Sequence, residues 1–244
     1  MKNDLLLLSS STIHGSGSLA YALEPIRDFL EGRKEIVFAP YASRDHNGYT
    51  RHIQTALDPL GLSVTGLHAV RDPGLAILSA GAIFVGGGNT FRLLRALHYL
   101  NLIDVIRRGV ADGSIRYMGA SAGTNVACPT MRTTNDMPIV QPPTLDALGL
   151  VPFQINPHYQ DPDPDSTHRG ETREDRIEEF LEENDVPVLG LREGSWLLRN
   201  GNSLSLGGEQ SARLFRPGTD PQEFAPGNDL SALLSTAPRF DTGG

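Results

Sequence analysis

Along the chain, short runs of apolar, β-branched and aromatic residues alternate with longer segments whose apolar positions recur at helical spacing. The short runs Leu5 to Ser9, Glu35 to Ala39, Leu62 to Leu67, Ala82 to Val85 and Ile115 to Gly119 predict five strands. Leu93, Leu94 and Leu97, and later Ile177, Phe180 and Leu181, mark the buried faces of helices. Strands alternating with helices are βαβ units, so the pattern predicts an α/β fold with a largely parallel central sheet flanked by helices. The second half has another character. Val186 to Leu191 predicts one more buried strand, and "SWLLRNGNSLSLGG" places two short runs about Asn200-Gly201, which predicts an antiparallel hairpin at one edge of that sheet. "DPDPDSTHRG", Asp161 to Gly170, has the Pro, Asp and Gly content of a surface loop, at a length that often serves as a lid or binding loop. Residues 1–235 are expected to form one catalytic domain and Thr236 to Gly244 a frayed tail.

Composition narrows this picture. A chain of 244 residues can bury a core large enough to hold a rigid site. Twenty-nine acidic against 21 basic residues, with no Lys/Arg run, argue against nucleic acid as a partner. Leu5 to Leu8 is far shorter than an export signal or a membrane span, so a cytoplasmic location and no membrane partner are expected. The single cysteine, Cys128, leaves no internal disulfide and no cysteine-based zinc site. No metal or cofactor is expected, and the oligomeric state, a homodimer included, stays open.

Chemistry in a parallel sheet collects outside the carboxyl ends of its strands. Past the fifth strand, Gly119-Ala120-Ser121-Ala122-Gly123 fits the G-x-S-x-G elbow that presents a nucleophilic hydroxyl. So short a match arises readily by chance, and its surroundings must decide. Past the fourth strand lies "GGGNT", Gly86 to Thr90, whose glycines let backbone N–H groups face a ligand at a helix start. It reads as a tight turn or an oxyanion hole; neither phosphate-binding glycine pattern is present.

A serine nucleophile needs a base. His158, in "QINPHY" at the end of an apolar run, ranks first, with Pro157 expected to interrupt further strand pairing. His168 in the polar loop and His14 after the first strand are the other histidines near the functional edge. For the carboxylate that orients the base there are two candidates. Glu193 follows the run "VPVLGL", and Asp136 lies in "RTTNDMP", where it also suits an Asx turn. The order Ser, His, acid differs from that of the α/β-hydrolases. Cys128 is a rival nucleophile in principle, but its apolar setting predicts an inert core thiol. If Thr172 caps a helix through Thr-x-x-Asp175, Arg173 stands in the first turn against the helix dipole. Arg173 is then either an anion-binding group or a solvated partner of Glu174 and Glu178.

Taken together, "LLLLSSST", "GGGNTF", "GASAGTNVACPTMRTTNDMPIV", "QINPHY", "GETRE" and "LREGSW" make the chain resemble the peptidase E, or α-aspartyl dipeptidase, family over most of its length. The resemblance implies a fold like the class I glutamine amidotransferase domain and release of N-terminal aspartate from dipeptides without a cofactor. It implies Ser121 as nucleophile, His158 as base, Glu193 as acid, with Asp136 the alternative, and an oxyanion hole from the N–H groups of Gly88 and Ala122. Asn89, Asn135 and Arg173 become substrate-binding candidates. Two other readings stay open: a cyanophycinase-like hydrolase of β-aspartyl peptides, and a binding module that keeps the elbow without catalysis. The Asp-Pro-rich loop and the region after Gly208 depart most from the family.

Overall fold

The computed structural model describes residues 3–162 and 170–242. Five strands, β1 (Asp4–Leu8), β2 (Glu35–Ala39), β3 (Ser63–Gly66), β4 (Ala82–Val85) and β5 (Arg116–Ala120), pair in parallel in the order β3-β2-β4-β5-β1. Their uninterrupted apolar runs have a direct reason. Leu5 and Leu7 enter one buried cluster and Leu6 and Leu8 the other, so both faces of β1 are covered. Helices α1 (Leu23–Leu30) and α2 (His46–Leu57) pack on the Leu6 and Leu8 side. The helices α3 (Pro73–Ala80), α4 (Thr90–Tyr99) and α5 (Leu102–Asp112) pack on the other side.

The hairpin β8 (Ser195–Asn200) and β9 (Ser203–Gly208) extends this sheet, β8 running antiparallel to β1. Its turn residues are Gly201 and Asn202 rather than the expected Asn200-Gly201, because Asn200 pairs with Ser203 and Gly201 takes a φ of 57°.

A second sheet departs from the expected single one. Strand β6 (Gln154–Tyr159) runs parallel to β7 (Val188–Arg192), and β10 (Ala212–Arg216) and β11 (Thr219–Phe224) complete the order β11-β10-β7-β6. Thus the strand read over Val186 to Leu191 belongs to a different sheet from the hairpin that follows it two residues later. Helix α7 (Arg173–Glu183) covers the outer face of the second sheet through Ile177, packed with Tyr159, Val188 and Phe215. Between the sheets lie Ile155, Leu189 and Leu191, which join the same core cluster as Leu5 and Leu7.

Composition predicts a frayed end from Thr236, yet the described part of it is tied down. Arg239 and Asp185 exchange two backbone hydrogen bonds, the Thr242 N–H donates to Glu183, and Arg132 pairs with Asp241. Most of the loop read over Asp161 to Gly170, His168 included, lies outside the described residues.

Candidate active site

The elbow follows β5 directly. Ser121 has φ 54° and ψ −112°, a backbone region that side chains rarely occupy, and it begins the single turn α6 (Ala122–Asn125). Glycines at 119 and 123 serve close packing rather than the turn itself. A Cβ on Gly119 would stand 2.6 Å from the Gly123 oxygen, and one on Gly123 would stand 2.0 Å from the Val85 oxygen. The Thr124 hydroxyl donates to the Leu8 carbonyl at 2.6 Å, tying the turn to β1.

His158 is the extra residue of a bulge in β6. Pro157 pairs with Leu191 and Tyr159 with Arg192, leaving His158 between them with φ 55°. Pro157 therefore does not end the strand; the bulge turns the imidazole out of the ladder toward Ser121. The His158 N–H donates to the Ser9 hydroxyl at 3.0 Å, and that hydroxyl donates to the Leu191 carbonyl at 2.6 Å. Ser9, fully buried at the end of β1, thus links the two sheets beneath the histidine. It reads in sequence only as a strand end, and a polar residue closing a run of four leucines is the one signal it carries.

Ser121, His158 and Glu193 come together. His158 Nε2 lies 2.8 Å from Ser121 Oγ, and His158 Nδ1 lies 2.6 Å from Glu193 Oε1. A carboxylate only accepts, so Nδ1 carries the proton and Nε2 is left to accept from the serine hydroxyl. The His158 and Glu193 side chains are 37% and 43% exposed, so water screens the pair and its part is orientation more than net stability. Behind Glu193, Arg192 holds Asp161 and Glu223, which keep the guanidinium fully charged and fix the end of β7.

Gly88 sits where only glycine fits, with φ 124° and its Cβ position 2.7 Å from the Ala42 oxygen. Its neighbours' N–H groups are occupied, Gly87 by the Tyr49 hydroxyl and Asn89 by the Ala42 carbonyl. Among the described residues the Gly88 N–H has no partner, and the Ala122 N–H, first in its helical turn, has none within the helix. Both residues line a cleft of about 360 Å³ together with Ser121, His158, Asn135, Asp136 and Arg173.

Two expected site residues have other tasks. Asp136 does not reach His158; its Oδ2 accepts from the Thr90 N–H at 2.7 Å and the Thr90 hydroxyl at 2.6 Å, capping α4. Asn89 does not line the cleft, because its Oδ1 caps α4 through the Arg92 N–H and its Nδ2 donates to Met137. Asn135 lines the cleft while bridging Asn156 and the Pro157 carbonyl. His14 is exposed and lines no part of it.

The Thr172 and Asp175 capping box forms as the sequence predicts, with Arg173 first in α7. Glu174 pairs with Arg213 instead, and Arg173 has no carboxylate within ion-pair distance among the described residues. Burial and Arg176 pull its pKa below the usual range while Asp136 opposes them. Cys128 is fully buried and accepts from the Ile155 N–H at 3.1 Å; burial pushes its thiol up to about 12. Neighbouring Asn125 and Asn156 donate to the Ile155 and Thr133 carbonyls, stitching the segment after the elbow onto β6.

The profile of peptidase family S51 matches residues 5–207. The chain is 58% identical over 240 residues to a protein named peptidase E from Streptomyces coelicolor, covering 98% of each. It is 49% identical over 233 residues to a Drosophila melanogaster protein named "Probable alpha-aspartyl dipeptidase", covering 95% of this chain and 97% of that one. In fold it resembles the crystal structure of a peptidase from an acI-B1 Actinobacterium, at TM-score 0.61 and 16% identity, over 94% of this chain and 97% of that one.

Proposed function

The chain belongs to peptidase family S51, and from that premise we propose that it is a serine dipeptidase releasing N-terminal aspartate from Asp-Xaa dipeptides through an acyl-enzyme. The observation that carries the reading is the hydrogen-bonded line from Glu193 through His158 to Ser121, opening on a cleft with one guanidinium and one carboxylate. An N-terminal aspartate brings the complementary pair: its side-chain carboxylate suits Arg173, and its α-ammonium suits Asp136.

In the first step the Ser121 proton passes to His158 Nε2 as Oγ attacks the aspartyl carbonyl carbon. The oxygen that becomes negative accepts from the Gly88 and Ala122 N–H groups, and Glu193 stabilises the imidazolium. His158 then gives the proton to the leaving nitrogen, the C–N bond breaks, and water hydrolyses the ester by the same route in reverse. We place the enzyme in the cytoplasm, where small peptides are its partners and an unpaired cysteine is ordinary.

The test compares hydrolysis of Asp-Leu, Ala-Leu and an isoaspartyl dipeptide, alongside labelling by a serine-directed phosphonate. Asp-Leu should be preferred over Ala-Leu by roughly 10- to 100-fold, the worth of a charge-assisted hydrogen bond. Labelling should vanish in Ser121→Ala. Preference for the isoaspartyl peptide would point to the β-aspartyl reading, and labelling that survives Ser121→Ala would remove Ser121 from the mechanism.

A further inference from the structure

Gly88, Ser121 and His158 also line a second cleft, of about 550 Å³, and they are the residues it shares with the first. A scissile bond held at Ser121 therefore has its acyl part in one cleft and its amine part in the other. With the aspartyl residue beside Arg173, the leaving residue falls in the second cleft, and in a dipeptide that residue ends in a carboxylate.

That cleft contains Arg44 and Arg92. Neither has a carboxylate within ion-pair distance among the described residues, on a chain whose net charge is −8. Arg92, half-buried on α4, makes one long hydrogen bond, from Nη1 to the Ala42 carbonyl at 3.5 Å. The same carbonyl oxygen lies 2.7 Å from the Cβ position of Gly88. The Asn89 N–H donates to that carbonyl as well, at 3.1 Å, so the guanidinium and the backbone next to Gly88 meet at one acceptor. A planar, permanently charged guanidinium matches a carboxylate with two parallel hydrogen bonds.

We propose that Arg92, with Arg44 beside it, binds the C-terminal carboxylate of the leaving residue and so selects dipeptides with a free C-terminus. The inference rests on the dipeptidase reading above, adding the group that makes a second residue the last one. Its test measures kcat/KM for Asp-Leu and Asp-Leu-amide with the wild-type enzyme, Arg92→Gln, Arg92→Lys and Arg44→Gln. The wild-type enzyme should favour the free acid by about 10- to 100-fold. Arg92→Gln should bring the ratio near one, Arg44→Gln should lower it less, and Arg92→Lys should retain part of it. A wild-type ratio near one, or an Arg92→Gln ratio equal to the wild type's, overturns the proposal while leaving the dipeptidase reading intact. Cleavage of neither peptide by the wild-type enzyme overturns both.

Discussion

Ser121 carries a backbone conformation that costs on the order of 1–3 kcal/mol, and His158, also at positive φ, carries another. Both are held by neighbours with little freedom: the Gly119 and Gly123 packing on one side, the Ser9 hydroxyl on the other. The two acids near them divide the work. Glu193→Gln should lower kcat by about 10²- to 10⁴-fold by removing the group that fixes the imidazole, with the thermal midpoint nearly unmoved. Asp136→Asn should raise KM for Asp-Leu and, by removing a negative charge from the α4 N-terminus, cost about 0.3–1 kcal/mol, a fall of roughly 1–4 °C in Tm. Steady-state kinetics and thermal melts on the two variants read both effects; a larger kcat loss in Asp136→Asn would reverse the division.

At the scale of elements, the capping box at the start of α7 aims Arg173. Thr172→Ala should destabilise by about 1 kcal/mol and raise KM for Asp-Leu more than it lowers kcat, while Thr172→Ser restores both, as melts and kinetics would report. The five parallel strands were legible because a strand buried on both faces is a continuous apolar run. The four-stranded sheet was not. β6 contains Asn156, Pro157 and His158, β11 reads "TDPQEF" without apolar alternation, and β10 pairs with β7 across a long stretch of chain. The triad candidates could be read because each lies at the end of an apolar run. The hydrogen bonds of Asp136 to Thr90 and of Asn89 to Met137 could not be read, because each spans more than 45 residues, beyond any local pattern.

Across the whole molecule, the segment after the elbow is sealed between the sheets, and Cys128 reports on that seal. With its pKa pushed up to about 12 by burial, the native thiol should resist Ellman's reagent at pH 8. In denaturant it should react with one equivalent, and prompt reaction of the native protein would mean that this region opens. The sheets themselves meet at the chemistry: Ser121 ends a strand of the seven-stranded sheet, His158 belongs to the four-stranded one, and 2.8 Å separates their atoms. Turnover is therefore a ruler laid across the joint between the two sheets. A slip of about 1 Å, invisible to any measure of secondary structure, would register as a change of about 10²-fold in rate.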